Sequence, residues 1–539
     1  MKNTVTKRLL ALLLAMCLIF GLAACGERDD DDDKKNTSQS GNKGNKGDDP
    51  AEEPSEPTKD PVEDPEQNVG GENSVVQADE LSDDAMRYVM IYNPKVYNED
   101  LKNDKSSLNL GELGSQVDVD ANRGDGLETE TEHPFTSISQ LEWQQYLPDG
   151  IKIEENRADV MGTDYEEGDT QKFYCSTNLD PENRRKKEYT CVYAGENCYI
   201  WALEDEGLRQ STIDKLGEEF DETIYPGVSE VFGEPRFVGD AGKVNLLLNE
   251  MSGNLLGSFA LVDLFTEAEL PEVGLEDMTC NTGHAILNIN SLLLENSSYR
   301  DMLYSTAAHE LQHLINSSAL FETTDLVWMN VWLNEGMSGY IETELYENAK
   351  EESGHYDEFN DSDLIRNGQS LYNFTTNRYD IGVYGSVYYF AKYLEEVAGE
   401  EIFTDIMDYW RDSYSETLST AEALAESMPK SAYKKINNSV DYAPLKLKFA
   451  DDSEEFMSKL TLNFYLETLA NELDIDEFEN IDQNDLLYDS IDGAKIEGGG
   501  RLIVALSDDT FEIPSDSDDG LIYVGLDEDF KPVTEFVYK

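Results

Sequence analysis

Residues 305–316 read Ser-Thr-Ala-Ala-His-Glu-Leu-Gln-His-Leu-Ile-Asn, and within them His309, Glu310 and His313 spell H-E-x-x-H. Neither Gly nor Pro interrupts the stretch, and Leu303, Ala307, Leu311 and Leu314 recur at helical spacing. An amphipathic helix is therefore expected. Two histidines four apart on a helix project from one face, about one turn from each other. That separation lets both imidazoles reach one zinc ion at roughly 2.0–2.1 Å. Glu310 follows the first ligand and is placed to take a proton from a water polarised by the metal. The plainer alternative is a helix with two core or surface histidines. Only five histidines occur in 539 residues, so their meeting in this pattern favours the metal.

A catalytic zinc takes three protein ligands and keeps a fourth position for water. Residues 331–338, Val-Trp-Leu-Asn-Glu-Gly-Met-Ser, lie in a second helical stretch expected from about 324 to 348. Among 113 acidic residues a single Glu carries little weight by itself. The pairing of His-Glu-Leu-Gln-His-Leu-Ile-Asn with Trp-Leu-Asn-Glu-Gly-Met-Ser carries more, because Glu335 lies 22 residues after His313. This pairing resembles the gluzincin superfamily and, more narrowly, the hyicolysin family of secreted bacterial neutral metallopeptidases. The resemblance implies Glu335 as third ligand, one zinc ion per chain, and hydrolysis of proteins or peptides. It implies an α+β fold: a gluzincin-type metallopeptidase domain with a mixed sheet and a helical lobe. In that fold a strand borders the cleft, and residues 285–290, just before the zinc helix, are the candidate.

The segment Asn377-Arg-Tyr-Asp-Ile-Gly-Val-Tyr384 opens an aromatic helix expected to reach about Val397. It is similar to a segment of gluzincin aminopeptidases in which a Tyr hydrogen-bonds the oxyanion. Tyr384 is the candidate by position and Tyr379 the second; among 29 tyrosines, packing is the competing explanation. One departure concerns the acidic residue that in many gluzincins stands four after the Glu ligand and supports a zinc histidine. Here that position is Gly339, so Ser338 or another group must serve. Nothing in residues 240–300 resembles the Gly-x-Met-x-Asn motif with which aminopeptidases of the superfamily hold a free amine, which tilts the reading to an endopeptidase. His284 is not needed as a ligand.

Residues 1–24 read as a lipoprotein signal peptide, with Lys2, Lys7 and Arg8 before an apolar core and Leu22-Ala-Ala-Cys25 at its end. Cleavage before Cys25 would leave its thiol to carry a lipid. Residues 25–84, with the run Asp29 to Asp33, form an acidic tether too polar to offset its ordering entropy. An enzyme held outside the cytoplasm on the bacterial cell membrane follows. The remaining divisions are a β-rich domain over 85–205, the metallopeptidase domain over 206–445, and a helix plus small β module over 446–539. Gly498 to Gly500 reads as a turn.

The net charge of −72 argues against nucleic acid as a partner. Export would permit disulfides among Cys175, Cys191, Cys198 and Cys280 in any of three pairings. The string Asp118-Val-Asp-Ala-Asn122 falls short of a calcium loop, since Arg123 stands where Gly is needed. The competing class is a non-catalytic surface lipoprotein, a binding or adhesion module with a vestigial zinc helix.

Overall fold

The continuous apolar run Val244-Asn-Leu-Leu-Leu-Asn249 and the run Cys198-Tyr-Ile-Trp-Ala202 lack the alternation of a half-exposed strand, so each needs cover on both faces. Both are central strands in the computed structural model. It describes residues 78–95, 107–118, 151–152, 164–175, 184–204, 207–235, 242–251, 255–271, 275, 278–320, 325–326, 329–347, 359, 366–372, 382–412, 420–439, 446–449, 451–488 and 494–539. These fall within one unit, Gly71–Lys539. The signal peptide, Cys25, most of the tether, Tyr379 and residues 119–122 of the calcium-like string lie outside the described residues.

In chain order the main strands are β1 (Tyr88–Tyr92), β2 (Thr170–Cys175), β3 (Arg185–Ala194), β4 (Cys198–Ala202), β5 (Val244–Asn249), β6 (Gly257–Phe259), β7 (Ile286–Asn290), β8 (Arg501–Ala505), β9 (Ile522–Leu526) and β10 (Val537–Tyr538). The main helices are α1 (Gln210–Glu219), α2 (Tyr225–Phe232), α3 (Arg300–Leu320), α4 (Val331–Leu345), α5 (Gly382–Ala398), α6 (Glu401–Asp412), α7 (Thr420–Ser427), α8 (Lys430–Ser439) and α9 (Ser453–Ala470). The fold is α+β, as expected.

A six-stranded mixed sheet has the order β2-β3-β4-β5-β7-β6. Its centre, β4-β5-β7, is parallel, and both ends pair antiparallel. Strands from either side of residue 205 therefore share one sheet, across the boundary expected there. The strand expected to border the cleft, residues 285–290, is not an edge strand. β7 is paired on both sides, and the edge strand is β6, a run too short and too rich in Gly and Ser to read as a strand.

A second sheet, β8-β1-β9-β10, brings the two ends of the described chain together. Its inner face, including Met90, Ile503 and Val524, joins the main core, while Val89, Ile91 and Val504 face a smaller one. The helical stretch from 210 to 232 carries Ile213, Leu216, Phe220 and Ile224 in the core. It passes through a π turn at Phe220–Ile224 before Pro226, whose missing N–H cannot continue the ladder. Helix α9 starts at Asp452, whose carboxylate accepts from the Glu455 N–H at 2.8 Å, and ends at left-handed Asn471.

The helix expected from 324 begins only at Val331, because Asp325 and Leu326 pair instead with Ile151 and Lys152. Cys175, Cys191, Cys198 and Cys280 are buried free thiols. None of the three pairings left open by the sequence is formed.

Candidate metal centre

Helix α3 is buried on every side from Ser305 to Ser318, which makes it a central helix rather than an amphipathic surface one. Its apolar face packs into the core through Ala307, Leu311 and Leu314. Its polar residues are covered by α4 and β6. A Cβ added to Gly257 of β6 would lie 2.6 Å from Thr306 Cγ2 and 3.4 Å from Glu310 Cγ. Glycine at that position is what lets the edge strand close on the Glu310 side of the helix.

His309 and His313 stand one turn apart with ring centroids at 4.7 Å. Helix α4 crosses beside them and presents Glu335, whose Oε2 lies 3.3 Å from His309 Nε2 and 3.5 Å from His313 Nε2. The three donor atoms are within 4.8 Å of one another, and all three residues are buried. Nε2 of both histidines and both oxygens of Glu335 make no hydrogen bond. Buried polar atoms that converge without being satisfied are a costly arrangement unless they serve a ligand. Two imidazoles and a carboxylate are the donor set of a catalytic zinc site, so the residues fit that ion.

The surrounding charge agrees. Burial alone would push His309 down, yet Glu335 and Glu342 on either side outweigh it and hold its pKa up at about 10. Burial would raise Glu335, but His313 and His309 hold it down at about 2. The pocket is therefore negative and favours a cation.

Support for His309 comes from a residue that the sequence reading did not select. Glu342 Oε2 lies 3.1 Å from His309 Nδ1, and Ser305 donates to Glu342 Oε1 at 3.1 Å. Seven residues separate Glu335 from Glu342, two turns of helix, so both carboxylates share a face. Helical spacing extended one more turn would have found it. Ser338 has a different partner, the Glu335 carbonyl at 3.0 Å. A Cβ on Gly339 would face Tyr388 of α5 at 3.8 Å rather than the histidine.

Tyr384 opens α5 with its hydroxyl buried. Burial, then the charges of Glu335, Glu310 and Glu342, push its phenol well above the ordinary value. It thus sits in the field of the cluster and remains protonated, able to donate a hydrogen bond. His284 lies at the opposite, N-terminal end of β7. Its ring meets Phe173 edge-on at 5.6 Å, and it lines a cavity of about 430 Å³ with Lys172 and Lys186. It is not part of the cluster.

Residues 262–442 match the Peptidase family M1 domain. The chain is 28% identical over 269 residues to the neutral metalloprotease ShpI of Staphylococcus hyicus, a match covering 48% of this chain and 57% of that protein. The chain thus spans little more than half the length of that relative. These findings support a domain of the zinc-metallopeptidase type. Among solved structures, yeast LTA4 hydrolase in complex with bestatin overlaps 53% of this chain and 50% of its own at 15% identity, with a TM-score of 0.29. Native leukotriene A4 hydrolase from Saccharomyces cerevisiae overlaps 56% and 44% at 16% identity, again at 0.29. Both overlaps are loose.

Proposed function

We propose that this chain is a zinc metallopeptidase of the hyicolysin type, an endopeptidase acting on proteins or peptides outside the cytoplasm. The observation that carries the reading is the buried convergence of His309, His313 and Glu335 beside Glu310, with Glu342 behind His309. A zinc ion held by the three would supply Lewis acidity toward a water and the scissile carbonyl.

Glu310, on the β6 side of the helix, takes the proton of the attacking water and returns it to the leaving amine. Tyr384, held protonated, donates to the oxyanion as it forms. Glu342 holds the His309 ring through Nδ1 and fixes its tautomer. β6, the last strand of its sheet, is the edge along which an extended substrate can lie.

Endopeptidase action is tested with an internally quenched peptide whose amino terminus is blocked. Cleavage within it supports the reading, and cleavage only of peptides with a free amine would replace it with an aminopeptidase. Anchoring rests on the Leu22-Ala-Ala-Cys25 sequence. Cys25→Ala should move the protein from the membrane fraction to the soluble one, and unchanged partition would remove the anchor.

A further inference from the structure

Arg501 opens β8 and is 1% exposed. Its partner across the ladder is Tyr92 of β1, and like Tyr92 it sits on the helix side of the sheet. Its guanidinium carbon lies 4.9 Å from the ring centroid of Tyr465 on α9. Nε and both terminal nitrogens are buried and make no hydrogen bond, and no ion pair to Arg501 occurs among the described residues.

The hydroxyls of the ring it lies on and of its ladder partner are engaged elsewhere. The Tyr465 hydroxyl donates to the Gly499 carbonyl at 2.9 Å, and the Tyr92 hydroxyl to the Ser458 carbonyl at 2.9 Å. Arg184, also buried among the described residues, makes the contrast. The two terminal nitrogens of Arg184 donate to Asp263, at 2.8 and 2.6 Å, and the same two also donate to the carbonyls of Thr279 and Tyr174. In a chain of net charge −72, carboxylates for Arg501 were plentiful. Burial with only an aromatic face to compensate pulls its pKa down to about 10, which still leaves it charged at neutral pH. A cation–π contact recovers less than the desolvation of a guanidinium costs.

We propose that Arg501 is the core of a binding site for a small inorganic monovalent anion of the chloride class, held between β8 and α9. One uncompensated positive charge calls for one negative charge, and complete burial limits the ligand to a small one. The site joins the terminal sheet to the helical lobe, so its occupancy contributes to the stability of that junction.

The test uses the full chain at constant ionic strength, with sodium gluconate replaced stepwise by sodium chloride or bromide. Wild type should show a saturating rise in Tm of about 2 °C or more. Arg501→Met, which keeps the volume and removes the charge, should show none. Crystals of wild type grown in bromide should give an anomalous peak at the guanidinium, a readout independent of whether the variant folds. A wild-type Tm indifferent to the halide, an equal rise in Arg501→Met, or bromide crystals without that peak would each overturn the site. Stabilisation by acetate but not by halide would also overturn it, and would point to a peptide carboxylate as the occupant.

Discussion

Glu342 holds the outer nitrogen of His309 while Glu335 faces the inner one, so a single helix supplies both a ligand and the group that orients another ligand. Replacing Glu342 with Gln keeps a hydrogen-bond acceptor and removes the charge, and replacing it with Ala removes both. Zinc affinity should fall in the order wild type, Gln, Ala, by roughly 10- to 100-fold for Ala, with activity recovered at high zinc. Competition with a chromogenic chelator measures it. Equal affinities would show that Ser305 or the fold alone positions the ring. Tyr384→Phe should lower kcat by about 10²- to 10³-fold with KM little changed, as for loss of an oxyanion donor. A variant affected only in KM would place the phenol in substrate binding instead. His309, Glu310 and His313 were readable because ligand chemistry restricts residue type and helical pitch restricts spacing, whereas Glu335 was reached only through the family resemblance of its segment. Glu342 was not selected because the pattern looked for an acid four residues on, and with 113 acidic residues composition could not single one out.

At the scale of elements, the close approach of α5 to α4 brings Tyr384 to the cluster. Gly336 and Gly339 face α5, and a Cβ on Gly336 would come within 2.8 Å of the Val387 carbonyl oxygen. That oxygen belongs to helix backbone and can move only with the helix. Gly336→Ala should therefore destabilise the protein by about 1–3 kcal/mol and displace the element carrying Tyr384, lowering kcat. Thermal unfolding with kinetics checks it, and unchanged values would mean that the two helices separate freely.

Helix α9 offers a pH test. Glu467 is buried on it, and burial raises its pKa to about 7 against hydrogen bonds from the Leu473 N–H and Ser439 that lower it. The folded state then binds a proton that the unfolded state, with the ordinary value of 4.5, releases. This contribution is full below about pH 4.5 and is lost as pH rises through 7, at most about 3 kcal/mol. Glu467→Gln should remove that fall between pH 4.5 and 7 in denaturant titrations. A parallel pH profile in the variant would assign the effect elsewhere. Element existence was readable from local pattern: the helix at 453–470 falls in the stretch 446–539 where one is expected, and the unbroken apolar run at 244–249 is a buried strand. The edge strand Gly257–Phe259 was not, since three residues carry no period and its pairing comes from β7.

Across the whole molecule, pairing between distant segments decides what counts as a folding unit. β1 lies between β8 and β9, joining residues 88–92 to 501–526. β4 lies between β3 and β5 in the six-stranded sheet. A fragment limited to 206–445 loses β2, β3 and β4 and the whole second sheet, and it exposes buried Leu246, Leu247 and Leu248. It should be insoluble or unfolded, whereas residues 78–539 should fold with one cooperative transition, as circular dichroism and calorimetry would show. A soluble, folded 206–445 fragment would restore the boundary expected at 205. Such long-range pairings leave no local mark in composition, which is why a β-rich stretch before the zinc helix read as a separate domain.

The most direct measurement is zinc content together with cleavage of casein by residues 78–539, beside Glu310→Gln. The predicted result is one zinc ion per chain in both proteins, with cleavage lost by about 10²-fold or more only in the variant. Equal cleavage by both, or a wild-type protein that takes up no zinc and cleaves nothing, would contradict the assignment of this centre as a peptidase active site.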